Sequence, residues 1–281
     1  MYSPLFSLKI TSNCSIISYA KFEKGRIPTF RAFMKYYLYG ISDAGDFREN
    51  NEDCFLINNI VKTDTSFECV CEAPFLTAVC DGVSGTSFGE IASDMALSEL
   101  SRISYCSSID LFREIMLIDK KMKRYGRNNP QALNMQTTLC CVGIDENDRV
   151  ISANIGDSRL YLYSGGAIFQ ITTDQSLVHM LKSAGRMTFD DVSSSVIFPV
   201  LGNNEHSANP DIVSVRHCFS ESDIMLLCTD GLSDFLTEEE LEIGLSLELP
   251  LSERIDTLVE LALERGSTDN ITAVAVCVIE E

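Results

Sequence analysis

Histidine is scarce in this chain, and so is any ordered spacing of cysteine. Only His179, His206 and His217 occur, and the 11 cysteines, odd in number and scattered, include a "CVC" and a "CC" but no C-x-x-C pair. A zinc site of cysteine and histidine is therefore not expected, and no histidine sits in a motif that suggests a Ser-His-Asp triad. The thiols read as reduced and mostly buried, which points to a cytoplasmic setting. Basic charge is also in deficit, with 41 acids against 22 bases and a formal net charge of -19. Such a field repels nucleic acid, and the richest basic stretch, "DKKMKRYGR" (119–127), reads as the solvated face and end of a helix. The opening "MYSPLFSLKITSN" lacks the basic region and unbroken apolar stretch of a signal peptide. No apolar run approaches the roughly 20 residues of a membrane helix, so a soluble protein without a membrane role is expected. Internal repeats, a dividing linker and a Walker A loop are absent as well.

What remains is an ordinary globular composition, 45% hydrophobic and 22% charged over 281 residues, ample for a sizeable core. Apolar segments read as strands at "FLTAVC" (75–80), "TTLCCVGI" (137–144), "VISANI" (150–155), "RLYLY" (159–163), "DIMLLCT" (223–229) and "ITAVAVCVI" (271–279). The short "GDS" (156–158) between two of them implies a hairpin, and "DENDR" (145–149) joins the strands before it, so 137–163 reads as an antiparallel meander. Segments 88–104 and 109–126 suggest a helix pair, the second with Phe112, Ile115, Met116 and Met122 on a stripe that Asp119 interrupts. "TEEE" (237–240) has the pattern of a capping box, and "SERIDTLVELALERG" (252–266) reads as a helix opened by serine and closed at Gly266. Strands in groups and helices in pairs predict an α+β sandwich. The span 174–212 opens with an expected helix, "QSLVHMLKSAG", then becomes polar and broken, which is the pattern of a surface flap.

Acids fall at the mouths of these strands. Asp81 follows "FLTAVC", Asp157 lies in the "GDS" turn, Asp230 follows "IMLLCT", Asp269 precedes "NITAVAVCVI", and Glu52 with Asp53 precedes "CFLINNI". One acid in a turn is commonplace, because short polar side chains bond their own backbone. Asp81 and Asp230, however, both stand directly before glycine after an apolar strand, where the backbone can turn sharply and free a carbonyl. Convergent hard oxygen donors suit Mg2+ or Mn2+. Two such ions, about 3.5–4 Å apart, make hydroxide from water and clamp a phosphoryl group for in-line attack. Arg48, five residues before Asp53, could grip two phosphate oxygens.

The ordered set "RENNED" (48–53), "DGVSG" (81–85), "NIGDSR" (154–159), "CTDGLSD" (228–234) and "GSTDNIT" (266–272) resembles the metal-dependent, type 2C serine/threonine protein phosphatases. The resemblance covers residue 39 to the end, leaving 1–38 as a lead-in of unknown role. It implies two antiparallel sheets packed face to face between helix pairs, a four-layer αββα domain, with a dinuclear site at one end and a flap like that of the compact bacterial members. By motif, Asp81 would bridge both metals and the Gly82 carbonyl would bind one. Asp230 and Asp269 would hold the first. Glu52 would reach the second directly or through a water, with Asp53 in or next to that shell, and Arg48 would bind the substrate phosphate. Asp157, with Asp230 and the candidate Asp234, would form the third site that some members show, and Asn270 would support Asp269. The implied reaction is hydrolysis of phosphoserine or phosphothreonine by a hydroxide bridging two divalent ions, Mn2+ or Mg2+. The implied partners are phosphorylated proteins, opposite a Ser/Thr kinase, and the implied state is a monomer.

Two positions depart from the family pattern. Val83 stands where many relatives carry a histidine, a candidate general acid, so a metal-bound water is expected to protonate the leaving group. Gln175 replaces the histidine of a common Asp-His-Ser. The competing reading is a catalytically inactive relative serving as a binding module, although the acid set is complete. Other hydrolases fit less well: G-x-S-x-G would need glycine where Thr86 stands, and an aspartyl-phosphate enzyme would want an acid at Val83.

Overall fold

The computed structural model describes residues 34–83, 88–176, 197–215, 220 and 222–279. The segment 15–22, the turn residues 84–87 and nearly all of the helix expected after Asp174 lie outside the described residues. Among the described residues, twelve strands form two six-stranded antiparallel sheets. The first runs in the order β4 (Ser66–Glu72), β1 (Lys35–Asp43), β12 (Ile271–Ile279), β11 (Ile224–Cys228), β8 (Arg159–Ser164) and β9 (Ala167–Gln170). The second runs β10 (Asp211–Val215), β7 (Val150–Ile155), β6 (Leu139–Ile144), β5 (Phe75–Asp81), β2 (Asp53–Ile57) and β3 (Ile60–Lys62).

Helices α1 (Gly89–Leu100) and α2 (Leu111–Asn128) cover the second sheet. The single turn α3 (Asp230–Ser233) follows β11, and α4 (Glu238–Ser246) and α5 (Leu251–Glu264) cover the first sheet. The sandwich expected from the sequence is thus present, with a helical layer on each side. Central strands are largely apolar because both of their faces are buried. Ala78 and Cys80 pack toward α1 and α2, whereas Val79 packs with Leu227 and Val274 of the facing sheet. A fully buried Val79 or Leu227 contributes about 1.5–3 kcal/mol. Among the described residues no helix is long and apolar enough to cross a membrane.

Local signals at the helix ends are kept in part. Asp110 caps α2 by accepting the Arg113 N–H at 3.1 Å, and Thr237 with Glu240 forms the complete capping box of α4. On α2 the buried stripe is Ile115, Ile118 and Met122, while Phe112, expected there, is exposed. Asp119 is buried because it accepts the Gly202 N–H at 2.9 Å and pairs with Lys123 at 2.7 Å. Helix α5 begins at Leu251 behind Pro250, one residue ahead of the serine expected to cap it.

Two expectations are corrected. The "GDS" turn does not close a hairpin: β7 belongs to the second sheet and β8 to the first. The chain crosses between sheets there, with Gly156 at φ +99° making the bend. The expected flap also ends too late. Val200, Leu201 and Ala208 are buried, Leu201 bridges Thr137, and Asp211 already starts β10.

Candidate metal centre

The antiparallel register gathers the acidic strand ends at one rim. The ends of β5 and β11 lie beside the starts of β2, β8 and β12, and β7 reaches the same rim before the chain crosses. Asp53 and Asp81 are direct cross-strand partners, an opposition of like charges that destabilises a sheet unless something neutralises it. By the two-residue period of a strand they share a face with Phe55 and Val79, which point into the space between the sheets.

Burial and mutual repulsion set the electrostatics. Asp53 is 2% exposed and accepts the Thr229 hydroxyl at 2.7 Å, a bond that joins the two sheets. Burial pushes its pKa up, the Thr229 bond opposes this, and the Asp230 charge adds to the rise. Asp81 is raised well above the carboxylate range by burial, then by Asp230, Asp53, Asp157 and Asp269. Asp157 is pushed up to about 7 by burial and then by Asp230, and Asp230 to about 6 by burial and then by Asp269. Asp234, raised mainly by burial, lies 3.5 Å from Arg159.

Among the described residues, three buried side-chain oxygens lack a hydrogen-bond partner: Asn154 Oδ1, Asp157 Oδ1 and Asp230 Oδ1. Two of the three are carboxylates of the rim. An unsatisfied buried acceptor costs about 1–3 kcal/mol, which a cation would offset. Among the same residues, no three Asp, Glu, His or Cys side chains close on one point as they stand. Like charges favour separation, and Arg48 engages Asp269 Oδ2 through Nη2 at 2.7 Å while its Nε donates to the Thr268 carbonyl at 3.2 Å. The set nevertheless fits a hard cation: oxygen donors, orphaned acceptors and a surplus of negative charge.

Glu52 stands slightly apart. Its carbonyl accepts the Gly82 N–H at 3.0 Å, and its carboxyl lies against Gly89 at the start of α1. A Cβ on Gly82 would collide with the Gly89 backbone and come within 2.8 Å of the Glu52 carbonyl. Glycine is therefore required at 82 by close approach. The bonds flanking the Gly82–Thr137 bridge use the Asp81 carbonyl and the Val83 N–H, which leaves the Gly82 carbonyl out of that pairing. Asn270 accepts the Glu52 N–H at 2.9 Å and donates to the carbonyls of Ala44 and Asn50 at 2.8 and 3.1 Å. It ties the segment bearing Arg48 and Glu52 to the start of β12, and its own N–H donates to Asp269 Oδ1 at 2.9 Å.

The bonds that hold the rim in place were not anticipated. Thr138 Oγ1 accepts the Asp81 N–H at 3.0 Å and bonds Ser158 Oγ at 2.7 Å, and Thr137 Oγ1 donates to the Asp81 carbonyl at 2.8 Å. Arg159 grips both oxygens of Asp174 at 2.9 and 2.8 Å and donates to the Ser233 carbonyl at 3.1 Å. Gln175 clamps the bend beside Asp157: its N–H donates to the Gly156 carbonyl at 2.8 Å and its Oε1 accepts the Gly156 N–H at 3.1 Å. Ser158 and Arg159 lie in the "NIGDSR" motif and Gln175 stood out as a departure, whereas Thr137 and Thr138 gave only a polar pair, "TT", at the head of an apolar run.

No family model matches the chain, but individual proteins do. The serine/threonine phosphatase Stp of Listeria welshimeri is 32% identical over 248 residues, 84% of this chain and 93% of that protein. The crystal structure of serine/threonine phosphatase Stp1 from Staphylococcus aureus is 30% identical with a TM-score of 0.73, covering 92% of this chain and all of that one. The catalytic domain of the serine/threonine protein phosphatase PstP, solved with two manganese ions, is 28% identical with a TM-score of 0.70, covering 87% of this chain and all of that one.

Proposed function

The chain belongs to the metal-dependent, type 2C serine/threonine protein phosphatases, and from that premise we propose that its carboxylate rim holds two divalent cations for hydrolysis of phosphoserine and phosphothreonine in proteins. Asp81 would serve both cations and the Gly82 carbonyl one of them, Asp230 and Asp269 would hold the first, and Glu52 with Asp53 would hold the second. Asp157 and Asp230 offer a third position, and Asp234 is its outer candidate. Mn2+ or Mg2+ bound there supplies Lewis acidity and a water of lowered pKa at the phosphorus. Direct attack then needs no covalent phosphoenzyme.

The chain's own residues do the rest. Arg48, which pairs with Asp269 at 2.7 Å, carries a guanidinium fork that would grip two phosphate oxygens of the substrate. Val83 cannot donate a proton, so the leaving oxygen receives none from this position. Asn270, Thr138 and Gln175 keep the donors in register through the bonds described above. All nine described cysteines are free thiols, which supports a reducing, cytoplasmic setting; the reaction would oppose a Ser/Thr kinase.

The observation that carries this reading is the pair of orphaned oxygens on Asp157 and Asp230 within a basin of carboxyls. Hydrolysis of p-nitrophenyl phosphate and a phosphothreonine peptide should require Mn2+ or Mg2+, stop with EDTA, and fall about 10²-fold or more in Asp230→Asn, as when a charge-stabilising group is removed. An intact, folded protein that binds Mn2+ and turns over neither substrate would be a binding module instead.

A further inference from the structure

A groove of about 620 Å3 opens along the outer side of α1 and α2, near the C-terminal end of α1. Gly89, beside the carboxylates, is about 15 Å away along the α1 axis at 1.5 Å per residue. The groove floor is apolar, formed by Ile103, Leu117 and Ile118, and Leu117 is 42% exposed. Its rim carries Arg102, Lys120, Lys121, Arg124 and Arg127, against only Glu99 and Glu114. Five of the chain's 22 basic residues therefore converge on one groove of a protein with net charge -19.

The helix geometry explains the convergence. Leu117, Lys120, Lys121 and Arg124 follow each other at three and four residues, so they form one stripe. The buried stripe of α2, Ile115, Ile118 and Met122, anchors the helix to the sheet. Glu99 alone pairs with two of the bases, Lys121 and Arg102, each at 2.5 Å. Lys120, Arg124 and Arg127 are exposed. A row of like charges on one helix face opposes helix stability, and the polar face of α2 did not need to be basic to be solvated.

The geometry points to a docking site for an acidic peptide segment of a protein partner, its carboxylates on the rim of α2 and a bulky apolar side chain over Leu117. Charge complementarity selects the acidic occupant, and the apolar floor selects a peptide over a polyanion without apolar groups. Nucleic acid meets the same rim, but the surrounding negative field opposes it. The inference rests on the phosphatase reading only in taking the partner to be a protein.

The test uses the full chain and a fluorescein-labelled 12-residue peptide of Asp and Glu around a central Phe-Leu pair. Anisotropy should report binding that weakens steeply with salt. Lys120→Glu with Arg124→Glu should weaken it about tenfold or more, as should Leu117→Asp, or Ser-Ser in place of Phe-Leu. Melting temperature and p-nitrophenyl phosphate turnover should stay at wild-type levels in these variants, since none of the residues touches the carboxylate rim. Equal binding by the wild type and the double charge reversal overturns the proposal. So does tighter binding of a single-stranded oligonucleotide, or self-association in sedimentation that the same variants abolish. Peptide binding without phosphatase turnover keeps the docking site and removes the functional reading, while turnover without binding does the reverse.

Discussion

Asp157 keeps its proton up to a pH of about 7 because burial and the Asp230 charge both oppose ionisation. In the unfolded chain the same carboxyl titrates near 3.9. Between those values the folded state binds the extra proton, so stability falls as pH rises through the window and the full penalty is present above 7. In EDTA, Asp157→Asn should therefore be more stable than the wild type at pH 8, by up to about 4 kcal/mol, and nearly equal to it at pH 4. Urea unfolding at both pH values checks this, and a metal-free wild type more stable than the variant at pH 8 would refute it. Saturating Mn2+ should reverse the order. The carboxylates were legible in the sequence because each one stands at the mouth of an apolar segment. The hydroxyls of Thr137, Thr138 and Thr229 were not, since a threonine that bonds a backbone looks in sequence like any strand threonine.

At the scale of elements, β6 is the brace of the site. Thr138 at its head holds the end of β5 through the Asp81 N–H and reaches Ser158 at the crossing from β7 to β8. Thr138→Val keeps the shape and removes both bonds. It should cost about 1–3 kcal/mol in stability and weaken Mn2+ binding about tenfold, at 1.4 kcal/mol per decade, as read by Mn2+-dependent turnover and by Mn2+-dependent melting. Thr237→Ala removes the remote capping box at about 1 kcal/mol and should leave the metal dependence unchanged. If both variants shift Mn2+ affinity equally, the brace is only a matter of stability. The crossing itself was misread as a hairpin because a three-residue turn fits one by length. Sheet membership of β8 is decided by pairing with β11, some 60 residues on, and local sequence carries no trace of that partner. The end of the expected flap failed for the same reason: Leu201 is buried in the cluster of Met122, Met135 and Leu139 and bridges Thr137, partners some 60–80 residues away.

For the whole molecule, the site is where the two sheets are joined. Asp53 and Asp81 come from the second sheet, Asp230 and Asp269 from the ends of β11 and β12 in the first, and the Thr229–Asp53 bond already spans them. A cation shared by these carboxylates would clamp one sheet to the other and relieve part of the repulsion in a chain of charge -19. At 100 times its dissociation constant a ligand specific to the folded state contributes about 2.7 kcal/mol, or about 5–10 °C in melting temperature for a domain of this size. Added monovalent salt should stabilise the metal-free form more than the metal-loaded one, since screening acts on repulsion that the cation has otherwise removed. Hydrogen exchange separates a clamp from a local ligand. Mn2+ should slow exchange at the rim ends of β2 and β5 and equally at those of β11 and β12. Protection confined to β2 and β5 would mean that the carboxylates of the first sheet do not share the ion, and the rim would then be two half-sites.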